Sequence, residues 1–280
     1  ERVVERYDAP RTDVAVFLPC SARKPYSESK SHSEFKSAIR GRAHEVVVTS
    51  PLGVVPRELE LVYPAAHYDT PVTGRWDAKE REFVSGILAD YLDKNGYDRL
   101  VAHVPEEGYG EIIESVAAAR GLEVEFTVPE GVHPRDDTAL EKLDVALEGE
   151  TQANRSMEKK WYARSIADYQ FGAGTFDDVL GLGSVDTEGR LPRIRVFSRE
   201  HDEQIATVAP SYGYLALTLA GARIFDPLRV EDADTSIRVG DEVVFEGSSA
   251  VGVGRAKMYG DEMARSSRGI SVDVRHVEEK

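Results

Sequence analysis

Val14-Ala15-Val16-Phe17-Leu18-Pro19-Cys20-Ser21-Ala22-Arg23-Lys24-Pro25-Tyr26-Ser27-Glu28-Ser29-Lys30-Ser31-His32 is the stretch on which the fold turns. Val14 to Leu18 has the length and β-branched content of a buried strand, and Pro19, with no N–H to give to a ladder, ends it. Ser33-Glu34-Phe35-Lys36-Ser37-Ala38-Ile39-Arg40 then reads as an amphipathic helix from about Glu34, with Ser31 or Ser33 as N-cap. The loop between them lies past the C-terminal end of a strand and before a helix N-terminus, where open α/β sheets take up ligands. It carries Cys20, the only cysteine in 280 residues. Lys24 and Arg23 favour the thiolate of a nearby thiol, and His32 is suited to moving protons at neutral pH.

Strand and helix signals go on alternating. Strands are expected at Glu45 to Thr49, Arg99 to His103 and Glu123 to Val128. Helices are expected from about Asp77 to Lys94, N-capped by Asp77 and stopped near Gly96, and from Glu111 to Arg120, stopped by Gly121. This predicts an α/β fold: a mostly parallel, three-layer core over residues 1–130. The span from Ser50 to Gly74 is long for a connection, and such loops tend to be functional. Pro129 to Asp137 is rich in turn formers and reads as a linker. Residues 138–195, with a helix over Glu158 to Tyr169 and Gly-punctuated turns, read as a small α+β connecting domain. Residues 196–280 read as short strands closing into a C-terminal β-barrel.

The chain carries 50 acidic against 35 basic residues, a formal charge of -15, with 41% hydrophobic residues for its cores. A surplus of acid ordinarily disfavours a nucleic-acid partner, because phosphate binding is driven by cations. Acidic residues recur along most of the chain, and Lys is scarce relative to Arg, as in proteins kept soluble in concentrated salt. Near 1 M salt the Debye length shrinks to about 3 Å and long-range repulsion of RNA fades. One cysteine excludes an internal disulfide, and with no CxxC or HExxH spacing neither a metal nor another cofactor is implied. No 18-residue apolar run and no signal peptide is read, so no membrane partner and a cytoplasmic location are expected. A chain opening on Glu1 instead of Met is expected to be a fragment or a processed form.

The spacing Pro-Cys-x3-Lys-Pro-Tyr-x2-Ser-x2-His, filled by Pro19, Cys20, Lys24, Pro25, Tyr26, Ser29 and His32, resembles the signature of archaeosine synthase, the archaeal tRNA-modifying relative of tRNA-guanine transglycosylases. Thr49 to Glu60 and Tyr68 to Asp77 are similar to that family's core. Residues 138–195 resemble the connecting domain of archaeal transglycosylases. Gly240-Asp241-Glu242-Val243-Val244, Val251 to Ala256 and Arg268-Gly269-Ile270-Ser271-Val272 resemble a PUA domain, an RNA-binding barrel. The resemblance implies a tRNA substrate carrying 7-cyano-7-deazaguanine at position 15 of the D-loop. It also implies conversion of the nitrile toward the archaeosine amidine, with free lysine as nitrogen donor where a radical-SAM partner completes the reaction. Many members also carry an N-terminal transglycosylase-like domain, so such a domain or chain is an expected partner.

The residues suit that chemistry. A thiolate adds to a nitrile to give a thioimidate that an amine can displace. Cys20 is the candidate nucleophile, His32 the proton relay and Lys24 the cation for developing negative charge. Glu106, Glu107 and Asp69 are candidates to hold the lysine ammonium, with Ser21, Tyr26 and Ser29 completing the substrate site. Gly221, Arg223, Arg268 and Gly269 are candidates to meet the tRNA backbone. Two other readings stay open: a non-catalytic tRNA-binding protein with an enzyme-like core, and a cysteine-dependent amidohydrolase.

Overall fold

The strand Val14–Pro19 (β1) lies at the centre of a five-stranded sheet. It pairs in parallel with His44–Thr49 (β2) on one side and Arg99–Ala102 (β4) on the other, so that Phe17 sits between Val46 and Ala102. Gly53–Pro56 (β3) runs antiparallel on the outer edge of β2, and Val124–Phe126 (β5) parallel on β4, giving the order β3-β2-β1-β4-β5. This computed structural model describes residues 2–62, 64–66, 68, 76–171, 173–174, 176, 185–188, 193–197, 204–211, 214–219, 233, 237–240, 242–246, 250–266 and 270–279.

Both faces of the sheet are covered, as continuous apolar runs in parallel strands require. On one face Lys30–Ile39 (α2) packs against Asp137–Ala146 (α5). Val14, Val16 and Leu18, alternate residues of β1, meet Phe35, Ala38, Ile39, Leu143 and Leu147 there. The crossovers on the other side of β1 place Ala78–Asn95 (α3) against Glu111–Ala118 (α4), with the short helix Arg2–Arg6 (α1) against α3. α3 begins as the sequence indicates: Asp77 Oδ1 accepts from the N–H groups of Lys79 and Glu80, and Glu80 Oε2 accepts from the Asp77 N–H. Gly53, at φ 76°, lets that helix sit close, because a Cβ there would fall 2.6 Å from Ile87.

α2 starts earlier than its apolar pattern suggested. Its N-cap is Ser29, whose Oγ accepts from the His32 N–H at 3.2 Å, and not Ser31 or Ser33. The turn formers at 129–137 reverse the chain ahead of α5, which packs against α2. Arg135 pairs with Glu34 at 2.6 Å, Arg40 with Asp144 at 2.8 Å, and His103 Nε2 meets the Pro134 carbonyl at 2.7 Å. The compact units are residues 1–165 and 166–280, divided within Arg155–Phe171 (α6).

In the second unit Val185–Glu188 (β6), Arg193–Phe197 (β7), Gln204–Ser211 (β8) and Tyr214–Leu219 (β9) form an antiparallel meander. Glu242–Glu246 (β10), Ala250–Ala256 (β11) and Val272–Glu279 (β12) form a second antiparallel sheet, with Gly260–Arg265 (α7) between the last two strands. Val243, Ala256 and Met263 are its buried apolar centre.

Candidate active site

From β1 the chain runs outward through α2 to β2. It then crosses back, through α3, to β4 on the opposite side of β1. Connections leaving β1 and β4 therefore part company at their C-terminal ends, and open α/β sheets bind ligands in that crevice. β1 delivers Cys20 to it, and β4 delivers the turn Glu106–Gly110.

Cys20 is partly buried against the core, and its Sγ lies 3.0 Å from the Tyr109 hydroxyl. Gly108 makes this approach possible: at φ 78° and ψ -65° the turn reverses, burying Tyr109 (4% exposed) and leaving Glu106 and Glu107 exposed. The Trp76 ring packs on Tyr109 at 4.7 Å between centroids. Two further phenols complete a tyrosine cage. The Tyr26 and Tyr68 hydroxyls bond each other, and Tyr68 also bonds Thr49 Oγ1 at 2.9 Å. Burial foremost raises the pKa values of Tyr26, Tyr68 and Tyr109 above the ordinary phenol range, and Cys20 adds to the shift in each. The Lys24 Nζ lies 3.9 Å from the Tyr68 ring centroid, a cation–π contact.

His32, expected as a proton relay, lies buried behind the loop. It is 1% exposed, its Nδ1 lies 2.8 Å from Arg57 Nη2, and its Nε2 lies 3.0 Å from the Pro19 carbonyl. A guanidinium only donates, so Nδ1 accepts and Nε2 carries the hydrogen given to Pro19. Burial, then the Arg57 charge, holds the His32 pKa down to about 2, so the ring stays neutral and fixes the carbonyl preceding Cys20. Arg57 also donates through Nε to Glu45 at 2.8 Å and through Nη1 to Glu60 at 2.9 Å, and Glu60 accepts from the Ser27 N–H at 2.8 Å. One buried guanidinium thus ties both ends of the loop from Pro19 to Ser29.

Two more candidates serve the loop itself: Ser29 caps α2, and Ser21 Oγ donates to the Arg23 carbonyl at 2.8 Å. Arg23 pairs outward with Glu28 at 3.2 Å. The structure therefore brings Cys20, Lys24, Tyr26 and the Glu106–Glu107 turn to one sheet edge, while Asp69, Gly221, Arg223, Arg268 and Gly269 lie outside the described residues. Sequence reasoning gave no site role to Tyr109, Trp76, Tyr68, Arg57 and Glu60. Among the described residues no three His, Cys, Asp or Glu side chains gather as a metal site, and no helix is long and apolar enough to cross a membrane.

The neutral histidines carry an acid-stability prediction. Burial also lowers the His103 pKa, to about 4, against an opposing bond to Pro134. The unfolded chain binds protons that these folded rings refuse. Stability is therefore full above about pH 6.5 and falls below it, by up to about 1.4 kcal/mol per pH unit for each ring. Between pH 6.5 and 4.5 the two remove up to roughly 5 kcal/mol, and urea midpoints should drop accordingly. His32→Gln should halve that slope; a flat profile in the parent protein contradicts the buried neutral rings.

Residues 1–147 match the family model described as Domain of unknown function (DUF5591). Residues 162–229 match the patch-forming domain C2 of tRNA-guanine transglycosylase, and residues 216–277 match the PUA domain. The archaeosine synthase of Haloferax volcanii is 42% identical over 301 residues, covering 100% of this chain and 51% of that protein. The archaeosine synthase subunit alpha of Methanosarcina acetivorans is 43% identical over 309 residues, covering 99% of this chain and 48% of that protein. The crystal structure of AF0587, a protein of unknown function, superposes with a TM-score of 0.68 at 28% identity, covering 99% of this chain and 98% of that one. The chain spans about half the length of the curated relatives it matches. With a DUF5591 core at the switch point of a parallel-dominated sheet, followed by C2 and PUA domains, this chain belongs to the archaeosine synthase family.

Proposed function

We propose that this chain is the transferase part of a tRNA-modifying enzyme acting on 7-cyano-7-deazaguanine at tRNA position 15. It converts the nitrile toward the archaeosine amidine by adding lysine, or another amine donor, through a thioimidate on Cys20. The observation that carries this reading is the placement of Cys20: at the sheet's switch point, its sulfur on the Tyr109 phenol and its loop tied at both ends to Arg57. A nitrile is a poor electrophile toward an amine in water, and covalent catalysis divides the task into two easier steps. Lys24, over the Tyr68 face, supplies positive charge near the thiolate. Glu106 and Glu107, exposed at the same edge, together with Asp69, hold the ammonium of the donor. His32 positions the loop and moves no proton.

The C2 and PUA domains supply the tRNA contacts, through Gly221, Arg223, Arg268 and Gly269. The relative named subunit alpha suggests a further subunit, and a radical-SAM enzyme fits as the one finishing a lysine adduct. The site of action is the cytoplasm. Nucleoside mass spectrometry after incubation with precursor tRNA and candidate amines tests this. The expected product is a nucleoside with the summed mass of the nitrile nucleoside and the amine. Unchanged precursor with tRNA still bound supports the binding-protein alternative, and hydrolysis without amine incorporation the amidohydrolase.

A salt prediction belongs to the RNA contacts. Arginines on phosphate release counterions, so Arg223→Gln or Arg268→Gln should each lower the slope of log affinity against log salt by about 1. An unchanged slope removes that arginine from the interface.

A further inference from the structure

The nitrile nitrogen must gain a proton as its carbon bonds to sulfur, and His32 does not supply it. Its ring is neutral and both nitrogens are engaged. Of the three phenols around Cys20, Tyr26 and Tyr68 are committed to each other and to Thr49, whereas the Tyr109 hydroxyl bonds the sulfur itself. Tyr109 is also held rigidly. Its ring lies beneath Trp76, and the turn that presents it is shaped by Gly108 and by Gly110, where a Cβ would meet Phe126 and the Pro105 carbonyl at 3.4 Å.

Resting on the reading of Cys20 as the nitrile's nucleophile, we propose that Tyr109 is the acid–base partner of Cys20, a catalytic residue touching the reacting sulfur. In the first step the Cys20 thiolate bonds to the nitrile carbon. One C–N π bond breaks, and its electron pair, on nitrogen, takes the Tyr109 proton, leaving a C=N–H thioimidate and a phenolate. In the second step the amine nitrogen bonds to the same carbon and gives one proton to the phenolate. The C–S bond breaks, its pair leaves on sulfur, and amidine, thiolate and phenol result. With the attacking amine entering as the free base, no outside acid, base or redox agent is required. Burial and the neighbouring Cys20 keep the phenol protonated in the resting state.

The test is single-turnover reaction of the full chain with tRNA bearing 7-cyano-7-deazaguanine, without amine, so that the thioimidate accumulates and is followed by intact mass. Tyr109→Phe keeps the ring and its packing. Its adduct should form about 10²- to 10⁴-fold more slowly. Alkylation of Cys20 by iodoacetamide on the alkaline plateau, which needs no proton donor, should stay within about three-fold of the parent. Adduct formation at the parent rate in Tyr109→Phe overturns the proposal while leaving Cys20 as nucleophile. An equal fall in adduct formation and alkylation also overturns it, because Tyr109 would then only hold the sulfur in place. If the parent protein forms no adduct, the reading of Cys20 fails and the role of Tyr109 with it.

Discussion

Cys20→Ala is expected to abolish amidine formation while leaving tRNA affinity within a few-fold of the parent. The side chain is removed from a half-buried position at the end of β1, where alanine fits without strain, so the sheet and the loop ties through Arg57 remain. The loss is confined to chemistry. Deleting a covalent nucleophile elsewhere has cost about 10⁴- to 10⁶-fold in turnover. Nucleoside mass spectrometry should show precursor untouched at times when the parent has finished. A parallel loss of tRNA binding contradicts the division of labour between core and C-terminal domains. Near-normal turnover removes Cys20 from the mechanism.

The second large effect belongs to Arg57. Arg57→Met leaves the Glu45 and Glu60 carboxylates, both buried, without the cation that faces them. It also takes the donor from His32 Nδ1. Burial alone would lower the Arg57 pKa, yet Glu45 and then Glu60 outweigh it and the pKa is raised. Breaking such a buried network from one side costs about 3–5 kcal/mol. In a protein of this size that lowers Tm by roughly 10 °C. Turnover should fall as well, by about 10²-fold, because the Pro19 carbonyl and the Ser27 N–H lose their anchor and Cys20 its placement. Adding Glu60→Gln to Arg57→Met should recover part of the stability and little of the activity. A melting temperature within 2 °C of the parent contradicts the network's role.

Where each element begins was legible when one local rule governed it. The β-branched run Val14 to Leu18 and Asp77 as N-cap gave β1 and the start of α3 almost to the residue. The 129–137 segment is harder to read, because Pro and Gly mark chain reversal equally in a linker and in a turn leading to a packed helix. Only the burial of Leu143 and Leu147 beside Val14 and Val16 distinguishes the two. The same limit holds at the site. The signature spacing marked Ser29 and His32 but not their parts; three residues apart across a helix start, they stand as cap and capped N–H. Tyr109 meets Cys20 across 89 residues of sequence, and Arg57 meets His32 across 25, so neither pairing leaves a periodic or local trace. Arg57 and Glu60 do lie in the Thr49 to Glu60 stretch that resembles the family core, which was the available signal.

The central claim is that Cys20 forms the covalent bond to the substrate nitrile. Peptide mapping of the acid-quenched complex with precursor tRNA, after nuclease digestion and before amine is added, tests it most directly. The account predicts a 7-cyano-7-deazaguanine nucleotide attached to the peptide containing Cys20, released as amidine when lysine is supplied. An adduct on another residue, or full turnover with no modified Cys20 at any time point, would contradict it.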